Sequence, residues 1–277
     1  MIVVKTVAEL RSLRQGAALP LGLVPTMGFL HTGHLSLVRA AREQNQTVAA
    51  SIFVNPKQFG PNEDFTTYPR DTVRDLRLLE EAGTDFVFVP DLDEMYPPGF
   101  STTVDVGPIG DLLEGKSRPG HFQGVATVVT RLFNLFQPQR AYFGQKDGQQ
   151  CVVIKKLTAD LGFPIDVVVV PTVRESDGLA LSSRNVYLNP AERIAARVLS
   201  TALRAARAQY QKGERNADVL QRIVRDIVGR EPLAQLDYVS LADATTLSEV
   251  DRVVSPVMLS LAVRIGKARL IDNDIFG

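Results

Sequence analysis

Over the first two-thirds of the chain, short apolar runs alternate with stretches of helical spacing, and this alternation constrains the fold more than any other feature. "LGLVP" (21–25) is a buried-strand candidate, "SLVRAAREQN" (36–45) has helical spacing, and "TVAASIFVNP" (47–56) is β-branched and strand-like. "PRDTVRDLRLLEEAG" (69–83) reads as a helix with Pro69 near its first turn and Gly83 at its C-terminal end. "TDFVFVP" (84–90) is the next strand, and "HFQGVATVVTRLFNLFQP" (121–138) is a mostly apolar helix stopped by Pro138. "RAYFG" (140–144), "GQQCVVIKKLTADLG" (148–162) and "PIDVVVVP" (164–171) then give strand, helix and strand. Strands apolar on both faces and separated by helices predict an α/β fold, a doubly wound parallel sheet covered on both sides.

Beyond residue 189 the texture changes. "PAERIAARVLSTALRAARAQYQKG" (190–213) predicts one long amphipathic helix and "NADVLQRIVRDIVG" (216–229) another. "QLDYVSLAD", "VVSPVMLSLAVRIG" and "ARLIDN" are strand-like. The expected organisation is a larger domain over residues 1–181 and a smaller α+β domain over 182–277.

The chain has 277 residues, enough for one large domain or two smaller ones. Its formal net charge is zero, which removes the whole-chain basic signal of a nucleic-acid binder. Cys151 is the only cysteine, so no intrachain disulfide forms. Lys5 and Glu9 interrupt the window where a signal peptide needs its apolar stretch. Runs such as "VVVV" fall far short of the about 18 residues of a membrane span. A soluble, cytoplasmic protein with neither nucleic-acid nor membrane partner is expected.

Ligands of open α/β sheets bind beyond the carboxyl ends of the strands, and the unusual residues of this chain follow strand ends. The first group is "PTMGFLHTGHL" (25–35). Glycines between strand and helix let the backbone approach a ligand, and a helix N-terminus attracts phosphate. Gly28 and Gly33 have the spacing of a P-loop, but His34 stands where that motif has lysine. A zinc reading of His31 and His34 lacks a third ligand. Two histidines capping a turn is the plain structural alternative. The second group is "FVNPKQFGPNEDFTTYP" (53–69), where Asn55 and Gln58 are neutral amides suited to a substrate with hydroxyls and a carboxylate. The polar stretch 60–69 reads as a lid. The third is "YFGQKDGQQ" (142–150): Lys146 is placed to hold a phosphate, Asp147 to cap the next helix, and Gln150 lies about a turn into it. The fourth, "DGLALSSRN" (177–185), offers two hydroxyls and an arginine in a mobile loop, as in an anion clamp. His121 reads as a helix-start residue.

Taken together, "PTMGFLHTGHLSL", "SIFVNPKQF", "LEGKSRPGHFQGV", "FGQKD", "DGLALSSRN" and "RLIDN", in this order, resemble the pantothenate synthetase (pantoate–β-alanine ligase) family over nearly the whole chain. "HTGH" is similar to the HIGH motif of class I aminoacyl-tRNA synthetases and related nucleotidyltransferases, and "LSSR" to their second signature. The resemblance implies a Rossmann-like domain with a smaller C-terminal one, a homodimer, Mg²⁺, and ATP-dependent joining of (R)-pantoate to β-alanine, giving pantothenate, AMP and pyrophosphate through pantoyl adenylate. It places Met27, Gly28, Phe29, Leu30, His31, Thr32, Gly33 and His34 against ATP, with His34 a proton donor. It adds Gly144, Gln145, Lys146, Asp147, Val173, Leu181, Ser182, Ser183 and Arg184 to the ATP site. Gln58 is implied for pantoate and β-alanine, and Gln150 for pantoate. Gly148 departs from the family, which often carries an aromatic residue there.

The implied chemistry suits these residues. Attack of an already ionised carboxylate on the α-phosphorus needs no general base. It needs alignment and neutralisation of charge on pyrophosphate, for which His31, His34, Lys146 and Arg184 are the catalytic candidates. Val125, Val128 and Val129 are placed either to wall the pantoate methyl groups or to pack the core. The metal ligands are not assigned; Asp75 lies in a segment that could approach Mg²⁺ through the phosphates. Two other readings, a different nucleotidyltransferase and an RNA binder, explain less: the first leaves Gln58 and Gln150 together without a purpose, and the second conflicts with the neutral charge.

Overall fold

The apolar runs pair as expected, in one six-stranded parallel sheet. The computed structural model describes every residue except Asn62. In chain order the elements of the first part are β1 (Ile2–Val4), α1 (Val7–Gly16), β2 (Leu21–Thr26), α2 (Thr32–Gln44), β3 (Thr47–Ile52), α3 (Thr72–Glu81), β4 (Phe86–Phe88), α4 (Leu92–Met95), α5 (Glu114–Ser117), α6 (His121–Phe136), β5 (Arg140–Gly144), α7 (Gly148–Asp160) and β6 (Asp166–Val170). The strand order is β1-β4-β3-β2-β5-β6. Chain direction across the sheet reverses between β2 and β5, so the segments leaving those strands flank the switch point where such sheets bind ligands.

All six residues of β3 and all three of β4 are buried, which is why these runs are apolar without alternation. On one face Val24, Val48, Ala50 and Val87 pack with Leu37, Val38 and Ala41 of α2 and Leu79 of α3. The "VVVV" run differs from its reading: β6 is an edge strand and its valines are only half-buried. The short helices α4 and α5 were not read from the sequence, nor were β1 and α1. β1, in register with β4 from Ile2–Phe86 to Val4–Phe88, is too short to show a pattern, and α1 carries a capping box between Thr6 and Glu9. Pro69 lies outside α3, whose cap is Asp71.

Contacts divide the chain into two units, Met1–Gly144 with Val153–Val170, and Gln145–Val152 with Pro171–Gly277. The second contains α8 (Pro190–Ala195), α9 (Val198–Gln211), α10 (Ala217–Val228) and the strands β7 (Ala234–Asp243), β8 (Val257–Ile265) and β9 (Ala268–Phe276), which form an antiparallel sheet in that order. Leu199, Leu203, Leu220 and Val224 of the helices pack with Leu241, Val257, Leu259 and Leu261 of the strands. The single helix expected over 190–213 is two, parted at Ala196 and Arg197 with no proline or glycine between them. Among the described residues no helix is long and apolar enough to cross a membrane.

Candidate active site

The candidate residues fall into two groups, one in each unit. In the first, the turn after β2 is built from its hydroxyl outward. Thr26 donates its hydroxyl to the Ser51 carbonyl at 2.8 Å and accepts the Gly28 N–H at 3.1 Å. Gly28 (φ 80°) and Phe29 (φ 49°) are both left-handed. A Cβ on Gly28 would stand 3.0 Å from Asp75 Oδ2 and 3.1 Å from Ile52 Cγ2, so glycine meets both the conformation and the space. Phe29 lacks that freedom, at a cost of about 1–2 kcal/mol. Asp75 on α3 offsets it: one carboxylate oxygen accepts the Phe29 N–H at 2.6 Å and the other the Leu30 N–H at 2.7 Å. Burial holds the Asp75 carboxyl above its ordinary range, opposed by those two donors.

His31 is the N-cap of α2, and the two histidines form a capping box in place of the usual Ser/Thr and Glu. His31 Nδ1 accepts the Gly33 N–H at 3.2 Å, and His34 Nδ1 accepts the His31 N–H at 3.3 Å. The ring centroids lie 4.1 Å apart. A neutral imidazole whose Nδ1 accepts carries its proton on Nε2. Both rings therefore hold an Nε2–H donor beside the positive end of a 13-residue helix. Capping the turn uses Nδ1 of each ring, and the Nε2–H donor lies on the opposite side of the ring.

At the end of β3, Asn55 caps the 3₁₀ turn Pro56–Gln58. Its side chain is 1% exposed and fully engaged. Oδ1 accepts the Lys57 N–H at 3.2 Å and the Tyr96 hydroxyl at 2.9 Å; Nδ2 donates to Gln58 Oε1 at 3.0 Å and the Gly124 carbonyl at 3.1 Å. Burial pushes the Tyr96 phenol up, keeping it a donor. Asn55 thus orients Gln58, whose Nε2 also reaches Met27 Sδ at 3.1 Å. α6 approaches this turn so closely that a Cβ on Gly124 would lie 2.1 Å from the Lys57 carbonyl oxygen. Val125, Val128 and Val129 are all buried.

His121 opens α6, and its Nδ1–H donates to the Gln58 carbonyl at 2.8 Å, leaving Nε2 to accept from Arg118 at 3.1 Å. This is the opposite tautomer to that of His31 and His34. Burial, and then the Arg118 charge, lower its pKa to about 4. Arg118 also grips Glu63 with two nitrogens, at 2.9 and 2.5 Å. Glu63 belongs to the stretch read as a lid; Asn62, in the same stretch, lies outside the described residues.

In the second unit, Gln145–Asp147 is a 3₁₀ turn held from β9. Asn273 donates to the Gln145 and Lys146 carbonyls at 2.8 and 2.9 Å, and accepts from Gln145 Nε2 at 2.7 Å. Lys146 Nζ lies 3.2 Å from Asp147 Oδ1. Gln150 is the third residue of α7. The departure at Gly148 has a local reason: a Cβ there would meet Met258 Sδ at 2.5 Å and Asn273 at 3.0 Å. The loop expected around residues 177–185 is a tied hairpin. Leu181 N–H donates to the Val173 carbonyl at 3.0 Å, and Arg174 bridges Ala180. Arg174 makes a two-pronged ion pair with Asp272 at 2.6 and 2.9 Å. Arg193 of α8 binds Asp177 at 2.8 Å and Glu175 at 2.7 Å, and its hydrogen bond lowers the Asp177 pKa. Ser182 then caps the 3₁₀ turn Ser183–Tyr187 by accepting the Arg184 N–H at 3.3 Å.

The family model for pantoate–β-alanine ligase matches residues 2–275 of this chain. The chain belongs to the pantoate–β-alanine ligase family. Among curated members, pantothenate synthetase of Roseiflexus sp. (strain RS-1) is 59% identical over 273 residues, covering 99% of this chain and 98% of that one. The Chloroflexus aurantiacus (strain J-10-fl) protein of the same name is 57% identical over 274 residues, covering 99% and 97%. The crystal structure of pantothenate synthetase from Thermus thermophilus superposes with a TM-score of 0.94 at 53% identity, covering 99% of both chains. That of the Francisella tularensis pantoate-β-alanine ligase, complexed with β-γ ATP and β-alanine, gives 0.80 at 35% identity, covering 99% and 97%. The protein is thus an enzyme of this ligase family, and a parallel sheet with a small antiparallel one is the fold of its solved members.

Tyr96, Arg118 and Gly124 were not read from sequence as parts of the site, and Asp75 was raised only as part of a segment near Mg²⁺, without an assigned role. Asp75 carried a signal: it lies one turn from Leu79, the other buried residue of α3. An acidic residue on the buried face of a helix needs a partner.

Proposed function

We propose that the protein condenses (R)-pantoate with β-alanine at the expense of ATP, through pantoyl adenylate, releasing AMP and pyrophosphate. The observation that carries this reading is the imidazole capping box at the switch point of the sheet, in a chain that belongs to a ligase family along its whole length. The turn at residues 27–34 receives the triphosphate: the α2 N-terminus and the Nε2–H groups of His31 and His34 donate to its oxygens. By the family resemblance Lys146, Arg184, Ser182 and Ser183 are also nucleotide-binding residues, as are Gly144, Gln145, Asp147, Val173 and Leu181. Donors to a charged group are each worth about 1.5–3 kcal/mol, so several engaged mainly in the transition state lower the barrier substantially.

Pantoate is held by Gln58 and Gln150, with Asn55 acting through Gln58. Its carboxylate attacks the α-phosphorus in line, the bond to pyrophosphate breaks, and charge builds on the leaving oxygen. The β-alanine amine, having lost a proton, then attacks the acyl carbon and AMP leaves. His34 Nε2 is the group placed to exchange a proton at the phosphates, and His121 stays neutral as a fixture of Gln58.

ATP brings Mg²⁺ with its phosphates. Among the described residues no group of three or more His, Cys, Asp or Glu side chains stands ready to hold a metal. The carboxylate under the turn, Asp75, already accepts two backbone N–H groups. The described residues offer no metal cage of their own. A homodimer in the cytoplasm follows from family analogy.

Product analysis tests the reading. Purified protein with ATP, pantoate and β-alanine yields AMP and pantothenate in equal amounts. ADP as the nucleotide product, or AMP formation indifferent to pantoate, overturns it.

A further inference from the structure

The turn between β2 and α2 rests on one side chain from another element. Asp75 is 1% exposed, and its two oxygens accept from the consecutive amides of Phe29 and Leu30. The next residue is His31, the cap of α2. Arg74, the neighbour of Asp75, lies with its guanidinium carbon 5.6 Å from the Phe29 ring centre, so α3 holds Phe29 by amide and by ring. Phe29 is a left-handed residue without glycine's freedom, and Gly28 would crowd Asp75 if it carried a Cβ.

We propose that Asp75 is a positioning residue for the nucleotide: its carboxylate fixes the left-handed turn at Gly28–Phe29 and thereby aims the Nε2–H donors of His31 and His34. This rests on the reading of that turn as the ATP site. Only a carboxylate of this length serves. A carboxamide has a single acceptor oxygen, and its NH₂ would face one of the two N–H groups. A glutamate is a methylene too long for a space in which even a Cβ on Gly28 would stand 3.0 Å from the carboxylate. A role as a metal ligand is a different claim, because a bound cation would take the oxygens from both amides.

The experiment compares wild type, Asp75→Asn, His34→Asn and the double variant as full-length protein. Amide hydrogen exchange reads the turn without reference to activity. The Phe29 and Leu30 amides are slow in wild type without ligand and become fast in Asp75→Asn. Fast exchange at both in wild type overturns the proposal even if the variant fails to fold. Pantoate-dependent exchange of pyrophosphate into ATP reads the consequence. Asp75→Asn lowers kcat/KM for ATP about tenfold to hundredfold, the loss of one charge-assisted hydrogen bond, while KM for pantoate changes little. The double variant loses clearly less than the two single losses combined, since Asp75 acts in part through His34. Wild-type kcat/KM for ATP in Asp75→Asn, strictly additive losses, or rescue by raised Mg²⁺ each overturn it. Absence of any pantoate-dependent exchange in wild type sinks the ligase reading instead and leaves the amide result standing.

Discussion

His31 and His34 each serve with both ring nitrogens. Nδ1 closes the capping box, and in the proposed reaction Nε2–H donates to the triphosphate. Substitutions that separate the two nitrogens test this. His34→Ala removes the cap acceptor, which costs about 0.5–2 kcal/mol of stability in urea unfolding, and cuts adenylation by orders of magnitude. His34→Asn keeps an acceptor at the position of Nδ1 but no donor at that of Nε2, so it recovers most of the stability and none of the adenylation. Equal stability losses in the two variants would refute the cap, and near wild-type adenylation in His34→Asn would refute the donor. Asn55→Ala leaves the Tyr96 hydroxyl, Gln58 Oε1 and the Gly124 carbonyl short of a buried partner. We expect a loss of about 2 kcal/mol or more in unfolding, with a raised KM for pantoate through the freed Gln58; an unchanged midpoint would contradict the network. The placing of "HTGH" at a strand end was legible in the sequence. The imidazole cap was legible only as an alternative, two histidines capping a turn, because caps are ordinarily Ser, Thr, Asp or Asn. Asn55 was read as a ligand for substrate from its residue type, and its four partners within the fold were not legible.

α6 is positioned against the Pro56–Gln58 turn by the absence of a side chain at Gly124 and by the hydrogen bond from His121. Gly124→Ala forces a methyl against the Lys57 carbonyl, and a destabilisation of about 1–3 kcal/mol follows, measurable as a lowered midpoint in thermal or urea unfolding. His121 gives the element a pH dependence. Its pKa falls from 6.5 to about 4 on folding, so between those values the unfolded chain binds the proton and the native state does not. Stability from this group is complete above about pH 6.5 and is lost as pH falls toward 4, with a slope of at most about 1.4 kcal/mol per pH unit. Urea unfolding of wild type and His121→Asn at pH 7 and pH 5 checks this: the variant shows the shallower loss, and parallel losses would refute it. Elements were legible where they were long or, like β4, stood in a clearly apolar run. β2, β3 and α6 stand out by apolar content, whereas β1 has only three residues and the parting of α8 from α9 carries no local sequence mark. The valines of β6 misled because an apolar run does not tell an edge strand from a central one.

Across the whole molecule, the candidate residues gather at the ends of β2, β3 and β5 in one unit and on the β9-held turn and the hairpin in the other. The fold class was legible because alternation of strand and helix is repeated along the sheet. The supports, Asp75 on α3, Arg118 before α6 and Asp272 with Asn273 on β9, were less so, because each meets its partner only through long-range packing. In the proposed reaction this scaffold activates pantoate by adenylation. The most direct measurement is exchange of labelled pyrophosphate into ATP without β-alanine. We predict exchange that appears only with pantoate, and that falls by orders of magnitude in Lys146→Ala with the fold retained. Exchange indifferent to pantoate, exchange that requires β-alanine, or a folded wild-type protein with none would contradict the account.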